Sequence, residues 1–116
     1  IQFDKPIAGT QLQQKKLAEM ITEITKAQLL TWRLGVLRNE GRATSAQISM
    51  AKRNNVDMAI HIAREARQML GGMGITGEYS IMRHMMNLES VITYEGTQDI
   101  HLLIIGMDIT GIAAFK

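Results

Sequence analysis

The stretch TSAQISMAKRNNVDMAIHIAREARQMLGG, residues 44–72, decides the fold. It opens with Thr44-x-x-Gln47, where a hydroxyl can accept from the third helical amide while the glutamine reaches back to the threonine amide. It closes on Gly71 and Gly72, and in between Val56, Ala59, Ile60, Ala63 and Leu70 recur at helical spacing. No proline interrupts it, so the spacing predicts one long amphipathic helix.

The same signals extend in both directions. Upstream, Thr10-x-x-Gln13 repeats the start signature, Leu17, Met20, Ile21, Ile24, Ala27, Thr31 and Leu34 share a face, and Gly41 is placed to stop the helix. A helix of about 30 residues there would run about 45 Å. Downstream, Ile81, Met85, Leu88 and Ile92 predict a third helix, and Ile100, Leu103, Ile104, Met107 and Gly111 a fourth. The only proline, Pro6, precedes them all. Four such helices joined by short glycine-bearing turns predict an all-α, antiparallel, up-down-up-down four-helix bundle forming one domain over residues 1–116. No stretch alternates with the period of a half-buried strand, and there is no internal repeat.

Composition narrows the function classes. A chain of 116 residues with 46% hydrophobic content suits a single core. A net charge of +2, with bases and acids interleaved, offers no continuous stripe for a phosphate backbone, so nucleic acid is not an expected partner. There is no cysteine, hence no disulfide, thiolate nucleophile or cysteine metal site. No apolar run approaches the ~20 residues of a membrane span, and no signal peptide opens the chain, so it reads as soluble without membrane insertion. It begins Ile1-Gln2-Phe3 without an initiator methionine, which suggests processing or a piece of a longer polypeptide. The nine methionines, Met82, Met85 and Met86 among them, read as filler for a core or subunit interface.

Three features invite a chemical reading. Gly71-Gly72-Met73-Gly74 closes a helix rather than opening one, unlike a phosphate-cradling loop, so it is either a helix stop or a place where a ligand approaches the backbone. His61, His84 and His101 lack metal spacing, and no Glu-x-x-His pair of a di-iron bundle occurs, so no metal is expected. A G-x-S-x-G elbow is also missing. Glu95, in TYEGTQDIH at 93–101, falls between the third and fourth helices, with Gly96 leaving room for a ligand and Thr97 a candidate N-cap. Partly enclosed by apolar neighbours, such a carboxylate is a candidate general base, though a simple junction residue fits the local pattern too.

Three segments together resemble the C-terminal helical domain of the acyl-CoA dehydrogenases, and most closely the glutaryl-CoA dehydrogenases. They are IQFDKPIAGTQLQQKKLAEM (1–20), RQMLGGMGIT (67–76) and NLESVITYEGTQDIHLLIIGMDITGIAAF (87–115). The resemblance implies that Glu95 takes the α-proton of a CoA thioester while FAD accepts a hydride from the β-carbon. Gly96 and Tyr94 would line the thioester, and Gln11, Gln68, Met69, Leu70, Gly71, Gly72, Thr97 and Phe115 would touch FAD. Asp99 is carried over as a further flavin contact, at a position where many straight-chain members have glutamine. In the family the glycine turn reaches the cofactor of a neighbouring subunit, which implies a homotetramer, with an electron-transfer flavoprotein as electron acceptor. A glutaryl-CoA substrate would pass through glutaconyl-CoA and lose carbon dioxide to give crotonyl-CoA. The implied compartment is the cytoplasm in a bacterium and the mitochondrial matrix in a eukaryote. The N-terminal helical and central β-domains of the family would lie outside this chain, which alone would neither hold FAD tightly nor turn over. Within the same enzyme class the competing reading is a short- or branched-chain acyl-CoA dehydrogenase or an oxidase relative, and from a different class a helical module that only mediates assembly.

Overall fold

The computed structural model describes residues 1–115. It is all-α with four helices, as expected: α1 (Gln11–Asn39), α2 (Ser45–Met69), α3 (Ile81–Val91) and α4 (Gln98–Thr110). Short 3-10 turns at Ile7–Gly9 and Gly71–Ile75 precede α1 and follow α2. Beyond one isolated bridge between Gln2 and Lys5, no strand forms among the described residues. No helix there is long and apolar enough to cross a membrane.

Helix boundaries follow the capping chemistry. Thr44 caps α2 with both halves of the box: its Oγ1 accepts from the Gln47 N–H at 3.2 Å, and its own N–H donates to Gln47 Oε1 at 3.0 Å. The matching box expected at Thr10 does not form. The Thr10 hydroxyl donates instead to the Ile7 carbonyl at 2.9 Å, because the preceding 3-10 turn offers a nearer acceptor than the amides of α1. Gly41 stops α1 in a Schellman arrangement, with its N–H on the Arg38 carbonyl at 3.1 Å and the Arg42 N–H on the Leu37 carbonyl at 2.8 Å. Gly71 ends α2 at φ 59° as read, and Gly111 proves to be the left-handed cap of α4 rather than part of its face.

α2 is the hub. Each of the other helices packs on it, while among the described residues no Cα of α1, α3 or α4 comes within 8 Å of another of these three. Lys16 faces Glu65 and Asn55 faces Thr31, so α1 and α2 are antiparallel; Arg64 with Glu89 at 2.6 Å sets α3 antiparallel to α2 in turn. The buried residues are mostly small and mostly on α2: Ala46, Ser49, Ala51, Ile60 and Ala63, joined by Ala27 and Leu37 of α1. Small side chains along one helix let three neighbours approach it closely. Gly74 serves the same end, since a Cβ there would collide with the Arg67 carbonyl on the last turn of α2.

The stripe of α1 is rotated from the expected one. Met20, Ile24, Ala27 and Leu34 face inward as read, but Leu17 and Ile21 are 43% and 60% exposed and Thr31 is exposed as well, while Leu30 and Leu37 turn in. The inward set keeps the 3-and-4 spacing of a two-helix seam, which is narrower than the face of a helix enclosed by a bundle. On α2 Leu70 is exposed, and of the methionines of α3 Met82 and Met85 are half-buried and Met86 exposed. The radius of gyration, 17.7 Å, exceeds the ~13 Å of a compact chain of this length. The described chain is an open, elongated arrangement around one central helix.

Candidate active site at the helix junction

The turn between α3 and α4 holds Glu95 in an uncommon backbone conformation. Glu95 has φ 55°, in the left-handed region, and Gly96 follows at φ 90°. For a residue with a Cβ that conformation costs about 1–2 kcal/mol. It persists because its surroundings fix it.

Two side chains do so. Lys52, on the second turn of α2, directs its ammonium at three successive carbonyls: that of Tyr94, that of Glu95 at 3.1 Å and that of Gly96 at 2.6 Å. These lie just past the C-terminus of α3, where the helix dipole favours a cation and carbonyls lack intrahelical partners. The same ammonium sits 5.7 Å from the centroid of the Tyr94 ring. Beneath the turn lies His101, buried at 7% exposure. A Cβ on Gly96 would come within 2.9 Å of His101 Nε2, so only glycine fits between the turn and the imidazole. Both His101 ring nitrogens are without a hydrogen-bond partner among the described residues.

Thr97 caps α4 as expected, its Oγ1 accepting from the Ile100 N–H at 3.3 Å, with Asp99 in the first turn. Gln98 ties this end to α2 through the Arg53 carbonyl at 3.2 Å. The Glu95 side chain is exposed and Tyr94 is 54% exposed, so the expected apolar enclosure is not made by the residues of this chain.

The remaining candidates other than Phe115 lie toward the far end of α2. Gln68, Met69 and Leu70 close that helix and Gly71 and Gly72 are exposed, with nothing within 4 Å of a Cβ built on either glycine. Lys16 holds this end, pairing with Glu65 at 2.9 Å and donating to Gln68 Oε1. The hydrogen bond that Lys16 donates to Glu65 holds the Glu65 carboxyl below the usual carboxylate range. Gln11 starts α1 at the same end, by the antiparallel register. Lys52 and Gln68 are separated by about 24 Å of helix, so one chain does not bring the two clusters together. Phe115 lies in the tail beyond α4, 39% exposed. Among the described residues no three His, Asp or Glu side chains group as metal ligands.

The open helical arrangement thus offers a carboxylate on a clamped turn near one end of α2 and a bare glycine turn at the other. The chain belongs to the acyl-CoA dehydrogenase family: residues 1–110 match the family model described as acyl-CoA dehydrogenase, C-terminal domain. It is similar to a glutaryl-CoA dehydrogenase from Mycobacterium smegmatis, at 54% identity and TM-score 0.96, covering 100% of this chain and 30% of that one. A structure of a glutaryl-CoA dehydrogenase from that organism in complex with FADH2 aligns at 54% identity and TM-score 0.94 over 98% of this chain and 30% of that chain. A short-chain specific acyl-CoA dehydrogenase of Megasphaera elsdenii is 34% identical over 106 residues, 91% of this chain and 28% of that protein. The chain thus spans under a third of the length of these relatives.

Proposed function

We propose that this chain is the C-terminal domain of an FAD-dependent acyl-CoA dehydrogenase, of the glutaryl-CoA type, and that Glu95 is its catalytic base. The observation that carries the reading is the left-handed conformation of Glu95 ahead of Gly96, clamped by Lys52, in a chain of this family. An α-C–H bond is too weakly acidic for a carboxylate alone, so the base must be fixed against the carbon and the thioester carbonyl polarised by a nearby donor. The Glu95 carboxylate takes the α-proton, and its own N–H is the donor placed to polarise the carbonyl. Gly96, without a side chain, and Tyr94 border the thioester. FAD, when bound, supplies the acceptor for the hydride that leaves the β-carbon, so that the α,β double bond forms.

The residues fit that cofactor. The N-terminus of α4, with Thr97 and Asp99, presents polar groups, and Gly71 and Gly72 leave the backbone open to close approach. Gln11, Gln68, Met69, Leu70 and Phe115 complete the proposed flavin contacts. The separation of the two clusters supports a homotetramer in which the glycine turn serves a neighbouring subunit's flavin. An electron-transfer flavoprotein is the proposed oxidant, and the compartment the bacterial cytoplasm or the mitochondrial matrix.

Identity of 54% to the glutaryl-CoA enzyme against 34% to the short-chain one supports the decarboxylating substrate. The full-length protein assayed with glutaryl-CoA and butyryl-CoA tests this. Faster turnover of glutaryl-CoA with release of carbon dioxide is expected; preference for butyryl-CoA without carbon dioxide would overturn the substrate assignment.

A further inference from the structure

We infer that Lys52 is a positioning residue for the base: its ammonium curls the backbone of residues 94–96 and thereby aims the Glu95 carboxylate and the Glu95 N–H. The inference rests on the reading of Glu95 as base. Lys52 pairs with no carboxylate among the described residues; each of its bonds to the turn goes to a main-chain carbonyl.

An ammonium has three N–H groups, and here three consecutive carbonyls converge on it. Carbonyls of successive residues point in alternating directions in a strand and along the axis in a helix, so their convergence on one point demands a tightly curled segment. That curl places Glu95 at φ 55°. With all three protons so directed, the ammonium is committed to the turn and is not a free cation for a substrate carboxylate. The imidazole of His101 closes the other side, against Gly96. Rigid support comes from α2, on which every other helix packs, so the clamp is anchored in the most constrained element. Misplacement of a reacting group by about 1 Å can cost ~100-fold in rate, which sets the scale for loss of the clamp.

The test uses the full-length FAD-loaded enzyme and follows the rate at which a saturating CoA thioester that cannot be oxidised at its β-carbon exchanges its α-hydrogen with deuterated water, per bound flavin. This partial reaction needs the base and the polarised carbonyl but no net oxidation. Lys52→Met is expected to lower exchange by about 100-fold with little change in thioester affinity, and to raise amide hydrogen exchange over residues 92–98. Lys52→Arg keeps the charge but its planar fork cannot meet three converging carbonyls, so its exchange rate should fall between wild type and Lys52→Met. If Lys52→Met does not yield folded holoenzyme, Lys52→Arg decides: a drop of about three-fold or more at full flavin occupancy supports the clamp. Wild-type exchange in Lys52→Met, or in Lys52→Arg where Lys52→Met fails to fold, overturns the clamp. Glu95→Gln in parallel separates the two claims. Loss of exchange in Glu95→Gln with none in Lys52→Met rejects the clamp alone, whereas retained exchange in Glu95→Gln rejects the base and the clamp with it.

Discussion

Gly96 and His101 pack together at the residue scale, directly after Glu95 in the turn. The space under Gly96 is filled by an imidazole, and its φ of 90° is one that side chains resist. Gly96→Ala in the full-length enzyme is expected to lower stability by about 1–2 kcal/mol and to depress turnover by displacing the turn. The two causes separate in a double-mutant cycle with His101→Ala, measured by thermal unfolding. Strain at φ 90° persists in both backgrounds, while the clash is relieved in one, giving a coupling of about 0.5 kcal/mol or more. An equal cost in both backgrounds would show that the imidazole is not what excludes the side chain. Part of this site was legible: Glu95 at a junction and Thr97 as N-cap follow from local chemistry, whereas Gly96, expected to leave room for a ligand, has the His101 imidazole where a side chain would go. Lys52 was not. Its effect spans 43 residues, and a lysine on a helix flank carries no local mark of a long-range clamp. Nor does any propensity assign the left-handed turn to a glutamate when a glycine follows it.

Two start signatures of the same form behave differently at the element scale. Thr44 caps α2, so Thr44→Ala is expected to cost about 1 kcal/mol, read as a lower thermal midpoint of the full-length protein. Thr10→Ala should cost less, because the Thr10 hydroxyl does not reach the amides of α1. Equal losses would contradict the difference in capping. Sequence spacing alone cannot tell the two apart, since the competing acceptor, the Ile7 carbonyl, exists only once the 3-10 turn has formed. The α1–α2 contact also carries a pH signature. Glu65 has its carboxyl lowered in the folded state by the hydrogen bond from Lys16, so its contribution is full above the usual carboxylate range and is lost as pH falls through the depressed value. Glu65→Gln should therefore melt below wild type near pH 6, and the gap should close on acidification as wild-type Glu65 becomes protonated. A gap that is constant from pH 6 to pH 3 would rule out this ion pair as its source.

The open shape governs what the whole molecule can do. Leu12, Ile21, Leu29 and Trp32 on α1 and Ile109 beyond the middle of α4 are all 60% exposed or more. These apolar side chains point away from α2, so the inward stripe of α1 is narrower than its apolar content alone predicts. Four amphipathic patterns announce four helices, but which apolar residues face α2 and which stay exposed is not written in their period. The two candidate clusters lie at opposite ends of α2, and the described residues leave Glu95 exposed. This chain in isolation is accordingly expected to retain no flavin absorbance after desalting and to show no dye-linked dehydrogenase activity; stoichiometric flavin or measurable turnover would contradict that division of labour. The central claim, that Glu95 is the base, is tested most directly by Glu95→Gln in the complete enzyme, with turnover measured per bound flavin. The expected result is a loss of about 1,000-fold or more with flavin content and thermal midpoint near wild type. Turnover within a few-fold of wild type would show that the proton goes to another residue.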